Sequence, residues 1–195
     1  MKKLIAVITV LSFAFAANAQ IVRSSSTSVG KANVAGYSRV FATYSPAKVS
    51  VEGVSLNLNS IQLGYLRGIP VATVPVYFET GGIVEYGFSG NDFSGLRLHI
   101  PLNLAYVLSL GDGLSLSPYA GLHLTGNVIA KSGNEDMFSS EGVNRFQLGF
   151  QAGIGFSYSS LYLGVGYLGD ILSFTNSSYF NSKIGGLTLT LGLNF

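Results

Sequence analysis

The fold is decided by "LRLHIPLNLAY", residues 96–106. Leu96, Leu98, Ile100, Leu102, Leu104 and Tyr106 alternate there with Arg97, His99, Pro101, Asn103 and Ala105. At two residues per repeat, every large apolar side chain falls on one face of an extended strand; at 3.6 per turn the same residues would be spread around a helix. The apolar face carries no charge and ends on a tyrosine, while the other carries Arg97 and His99. Which face meets water determines what kind of protein this is.

The same period recurs along the chain. Alternating segments are expected at about 36–45, 59–67, 74–88, 96–106, 116–128, 145–158, 161–167 and 187–195, the last reading "LTLTLGLNF". No stretch of ten or more residues has a helical period. Leu56 and Leu58 are out of phase with Ile61, Leu63 and Tyr65, which predicts a bulge or a strand start near Ser60. Pro101 and Pro118 lie inside two segments and each removes a ladder donor, so local bulges are expected there.

Composition narrows the choice of faces. Charged residues make up 10% of the 195, against about 25% in an ordinary soluble domain, while 48% are hydrophobic. That is too little charge to solvate an outer surface. Lys2 and Lys3, an apolar run over 4–16 and Ala17-Asn18-Ala19 read as a secretory signal over 1–19, cleaved after Ala19. The run is shorter than the roughly 20 residues of a membrane-spanning helix. Loss of Lys2 and Lys3 takes Lys plus Arg from 11 to 9, equal to the 9 Asp plus Glu, so the processed chain is formally neutral and no nucleic-acid partner is implied. Residues 20–34 read as a flexible polar segment and 35–195 as one domain. Cysteine is absent, which excludes disulfides, thiolate nucleophiles and Cys-ligated metals.

Alternation by itself also suits a soluble barrel or sandwich. The polar faces, however, are built from Gly, Ser, Thr, Asn and Gln with a few charges, which suits a cramped wet lumen better than an exterior. One Arg or Lys facing mid-bilayer lipid costs about 2–4 kcal/mol, and the clear apolar faces contain none. The expected fold is therefore all-β: an eight-stranded antiparallel up-and-down transmembrane β-barrel in the cell outer membrane of a Gram-negative envelope. Aromatics support it. With the first strand rising from the periplasm, Tyr65, Tyr106, Tyr158 and Phe195 form a periplasmic girdle, and Tyr44, Tyr86, Phe88, Phe146 and Tyr167 an extracellular one. The outer connections, about 46–58, 89–95, 129–144 and 170–183, are mostly longer than the inner turns, as such barrels prefer.

"LRLHIPLNLAY", "LSPYAGLHL" and the terminal "LTLTLGLNF" resemble the outer membrane protein beta-barrel domain family, the PorT-like or porin-family small barrels, over about residues 30–195. The resemblance implies fold and location, and outer-membrane lipid as surroundings. It also implies that terminal Phe195 serves as a signal to the barrel-assembly machinery. It implies no activity.

The chemistry lies on the polar face. Arg39, Glu79, Glu85, Arg97, His99, His123 and Arg145, with Arg67, are expected to form a lumen charge network. A tight loop centred near Asn91 sets Glu85 across from Arg97, with His99 one inward step further and His123 on the next strand. Buried charges without partners are costly, so the set is expected to pair and fill a narrow barrel. The alternative is a narrow path for small solutes or ions. Two histidines without ligand spacing give no metal site, and no cofactor is implied. Lipid A-modifying barrels are similarly small, but their chemistry needs a Ser, His and carboxylate at a membrane rim, and no G-x-S-x-G is present; an enzyme is not expected. The working expectation is a structural or surface-interaction barrel whose outer loops meet extracellular or envelope proteins.

Overall fold

A computed structural model describes residues 35–51, 54–71, 74–89, 93–133, 135–138, 143–173, 175 and 182–195. The expected signal sequence and the polar segment over 20–34 lie outside the described residues. Among the described residues ten strands follow one another: β1 (Tyr37–Val51), β2 (Val54–Pro70), β3 (Val76–Phe88), β4 (Phe93–Tyr106), β5 (Leu108–Gly111), β6 (Leu114–Ser132), β7 (Glu135–Asp136), β8 (Phe146–Tyr158), β9 (Leu161–Asp170) and β10 (Ser182–Asn194). Eight of them make a closed antiparallel wall, in the order β1, β2, β3, β4, β6, β8, β9, β10 and back to β1. Closure leaves no sheet edge unpaired in lipid, where each unsatisfied backbone group costs several kcal/mol. β5 extends the turn between β4 and β6, and β7 is a short addition to β6.

Short connections gather at one end, the turn end. They are 71–75, the β5–β6 hairpin through Asp112 and Gly113, and Ser159–Ser160, with Tyr158 paired to Leu161. Gly111, Asp112 and Gly113 have φ of 92°, 50° and 77°, and Ser159 has 54°, the left-handed conformations that reverse a strand this tightly. At the other end, the loop end, β1, β3, β6 and β9 finish and β2, β4, β8 and β10 begin.

Several local expectations are corrected. No register shift occurs at Ser60: β1 and β2 pair without a break from Tyr37–Gly68 to Val51–Val54. The expected outer loop over 46–58 is thus mostly a ladder, and it continues for seven residues, about 23 Å of strand, beyond Tyr44. Leu58 falls out of phase because it points inward, where the lumen lining turns from polar to apolar: it joins Ala47, Ala130, Val143 and Ile184 in a buried cluster, with Phe93, Met137 and Phe138 packed against it. Neither proline marks a bulge. Pro101 pairs with His123 and Pro118 with Ile154 in unbroken register. Within the closed wall the register shifts in β6 instead, where Leu96 pairs with Ile129 but Arg97 with Asn127, leaving Val128 as the extra residue; a second shift lies in the β5–β6 hairpin, between Ser109 and Gly111.

The surface is inside out relative to a soluble protein. Ile61, Leu63, Leu104, Leu163, Leu189 and Leu191 are exposed on the outer wall, whereas Glu79, Glu85, Arg97, His99 and Gln62 are buried within it. Tyr106 and Tyr158 are exposed at the turn end, Tyr65 is half-buried there with its hydroxyl 3.0 Å from Ser38 Oγ, and Phe195 follows Asn194 and is exposed. Toward the loop end, Tyr44, Tyr86, Phe146 and Tyr167 face outward, with Phe88 stacked on Tyr86 at 6.1 Å between centroids. A closed antiparallel wall, apolar outside, polar inside and ringed by aromatics at both ends, is the architecture of an outer-membrane barrel.

Candidate functional site: the charged lumen

Among the described residues, two polar clusters occupy the lumen. Nearer the turn end, Arg39 on β1 donates through Nε to Asn194 Oδ1 at 2.8 Å, approaches Glu79 Oε1 with Nη1 at 3.5 Å, and lies over the Tyr162 ring with Cζ 3.5 Å from its centroid. Glu79 also accepts from the Tyr37 hydroxyl and, at 3.5 Å, from Asn103 Nδ2. Asn103 in turn accepts from Gln151 Nε2 at 2.7 Å. The Tyr162 ring fits because β8 offers Gly155 beside it, where a Cβ would strike the ring.

Nearer the loop end, Glu85 is the hub. It stands opposite Arg97 in the β3–β4 register, pairs with its guanidinium, and accepts from Gln62 Nε2 at 3.3 Å. His99 Nε2 contacts the other carboxylate oxygen, and a carboxylate only accepts, so the proton sits on Nε2. The opposite nitrogen, Nδ1, lies 2.7 Å from Thr125 Oγ1. His123 meets His99 edge to face at 5.7 Å between centroids, and its Nδ1 has no hydrogen-bond partner among the described residues. Gly149 makes room for it, since a Cβ there would collide with the imidazole. Asp170 closes the upper side, accepting from Gln147 Nε2 and from the Ile184 amide, each at 3.0 Å, while Gln147 Oε1 accepts from Asn127 Nδ2 at 3.1 Å.

Six of the expected lumen residues, Arg39, Glu79, Glu85, Arg97, His99 and His123, are thus buried in the two clusters. Arg145 is not among them: it precedes β8, is exposed, and lies over the Phe138 ring with Cζ 4.5 Å from its centroid, because the strand and its alternation begin only at Phe146. Arg67 is also outside, exposed and bonded to Ser38 Oγ at 3.0 Å; it shares the outward parity of Ile61, Leu63 and Tyr65. Tyr37, Tyr162 and Asn194 carry no charge to single them out, and Asp170 falls in the expected outer connection over 170–183, whereas β9 runs on to Asp170. Parity along β1, β9 and β10 was the available signal, since each falls on the polar face two or more steps from a residue already placed there.

Between the clusters remains a cavity of about 60 Å³ bordered by Arg39, Gln62, Glu79, Asn103, Tyr119 and Tyr162. Its polar lining and size suit ordered water. Above the upper cluster the apolar group around Leu58 and Ile184 stops the loop end of the lumen. The hydroxyl, imidazole and carboxylate of Thr125, His99 and Glu85 line up as a nucleophilic relay would, but all three are buried and Glu85 is held by Arg97. Among the described residues no group of three or more His, Asp or Glu side chains has the arrangement of a metal site.

No family model matches the chain, and neither does any curated protein sequence. Solved structures do. Neisserial surface protein A is similar over 82% of this chain and 97% of its own, at 17% identity and a TM-score of 0.56. The outer membrane enzyme PagL is similar over 79% of this chain and 97% of its own, at 14% identity and a TM-score of 0.51. Both likenesses are of fold.

Proposed function

We propose that this protein is a closed-lumen structural or surface-interaction barrel of the PorT-like kind, with its loop end outside the cell. The observation that carries the reading is the filled lumen: two hydrogen-bonded polar clusters, a cavity of about 60 Å³ between them and an apolar stopper at the loop end. An eight-stranded wall encloses just enough space for side chains to fill. The orientation follows the preference of bacterial barrels for short periplasmic turns and longer outer loops. The family reading rests on the sequence phrases of strands β4, β6 and β10.

An enzymatic role is disfavoured by access. The relay of Thr125, His99 and Glu85 has no opening to lipid, so no acyl chain or headgroup reaches it. The narrow-channel reading draws on the 3.5 Å contact of Arg39 with Glu79 beside the cavity, a pair loose enough to exchange partners.

Planar-bilayer recording of the purified protein tests the proposal. A silent bilayer is expected. Discrete openings that disappear in Glu85→Gln or Arg97→Gln would overturn the closed lumen in favour of a channel.

A further inference from the structure

Among the described residues, two lysines of the outer wall share one patch. Lys48 on β1 and Lys183 on β10 both point outward and are exposed, on adjacent strands. Lys48 stands directly opposite Gly185, and Lys183 lies two residues from Gly185 on the same face, so the two ammonium groups flank a position with no side chain. From β9, Tyr167 leans its hydroxyl over that same glycine, into the space a Cβ would take. Pro46, Lys48, Tyr167, Lys183 and Gly185 border one open concavity. Three donors therefore surround Gly185, and among the described residues none of the three has a hydrogen bond or an ion pair. Lys131, at the same end on β6, differs: it stands in register with Asp136 on β7.

The height of the patch identifies its occupant. Lys48 follows Tyr44 by four residues, about 13 Å along the strand and about 10 Å along the membrane normal at the tilt of such barrels. Lys183 precedes Leu187, the partner of Tyr167, by the same four. The aromatics mark the edge of the hydrocarbon, so the lysines stand at headgroup level. A lysine at that height costs a lipid-facing strand little, and two cations without a partner among the described residues, beside a phenol, suit an anion with several acceptor oxygens.

We propose that Lys48, Lys183 and Tyr167 bind a phosphate of an outer-leaflet glycolipid, the class to which diphosphorylated lipid A belongs, in the gap over Gly185. The inference rests on the placement of the loop end outside the cell. Bound glycolipid would fix β1 and β10, the strands that close the barrel, to the leaflet around them.

The test is lipid retention by the full-length protein, extracted from the membrane, exchanged into phosphatidylcholine nanodiscs with a minority of lipid A, and read by native mass spectrometry. Expected is retained diphosphoryl lipid A on the natural sequence, a loss of about tenfold or more in Lys48→Gln/Lys183→Gln, partial loss in Tyr167→Phe, and recovery in Lys48→Arg/Lys183→Arg. Lys131→Gln should retain as the natural sequence does. Dephosphorylated lipid A should be held weakly by every variant, and millimolar inorganic phosphate should not displace the lipid. Equal retention by the natural sequence and the double Gln variant, equal retention of phosphorylated and dephosphorylated lipid, or equal loss in Lys131→Gln overturns the site. Displacement by inorganic phosphate overturns the lipid as its ligand. Gel mobility before and after boiling keeps these outcomes apart from a failure to fold, and protease access to the outer loops of intact cells tests the orientation separately.

Discussion

At the scale of single residues, the two lumen glutamates have different dependents. Glu85 is the partner of both Arg97 and His99, so its loss strands two buried groups. Arg39, by contrast, keeps Asn194 and the Tyr162 ring when Glu79 is neutralised. Removing one member of a buried ion pair costs about 3–5 kcal/mol because the other charge remains buried. Glu85→Gln is therefore expected to destabilise the barrel by about 3 kcal/mol or more, and Glu79→Gln by distinctly less, as read from urea unfolding midpoints in lipid. Equal midpoints for the two variants would show that Arg97 finds another acceptor. The Glu85–Arg97 opposition was legible in the sequence because a tight connection between two strands fixes their register. The ring of Tyr162 against Arg39 was not, since β1 and β9 are brought together only through β10.

Among the strands, β3 offers an internal comparison. Gly81 and Gly82 are neighbours on opposite faces of the wall. A Cβ at Gly81 would run into the Tyr65 carbonyl and the Leu66 backbone, whereas one at Gly82 meets nothing within 4 Å. Gly81→Ala is expected to lower stability by about 2 kcal/mol or more, because backbone cannot rotate away as a side chain can, and Gly82→Ala to stay within about 0.5 kcal/mol. Urea midpoints measured side by side decide it. The strands themselves were read from alternation, but their ends were not. Alternation describes one face in one environment, and at Leu58 the inward environment changes from polar lumen to apolar stopper while the strand continues. The bulge at Val128 escaped detection for a related reason: Val128, Ile129 and Ala130 are all apolar, so an inserted residue leaves no break in the pattern.

For the whole molecule, the decisive property is that lipid, rather than water, solvates the wall. Leu191 lies on that wall, between Ala42 of β1 and Leu163 of β9. Leu191→Arg is expected to cost about 2–4 kcal/mol and to reduce the heat-modifiable fraction recovered in membranes, while Ser109→Arg, at an exposed site of the turn end, leaves both unchanged. The measurement is gel mobility of membrane-extracted protein with and without boiling. Recovery of either variant as a water-soluble monomer would remove the basis for the membrane reading.

By itself the sequence determined that the chain is built of strands, that one face of each is apolar and the other polar, and that the polar face turns inward. These properties repeat every two residues and need no knowledge of neighbours. Beyond the Glu85–Arg97 opposition, which the tight connection between β3 and β4 already set, only the tertiary structure decided which groups meet. It gathered Arg39, Glu79, Tyr37 and Asn194 into one cluster and Glu85, Arg97, His99 and Thr125 into another, placed Arg145 outside both, and set Lys48, Lys183 and Tyr167 around one glycine. Those meetings depend on the stagger of each strand against the next and on closure between β1 and β10, and a period of two is the same for every even shift of register.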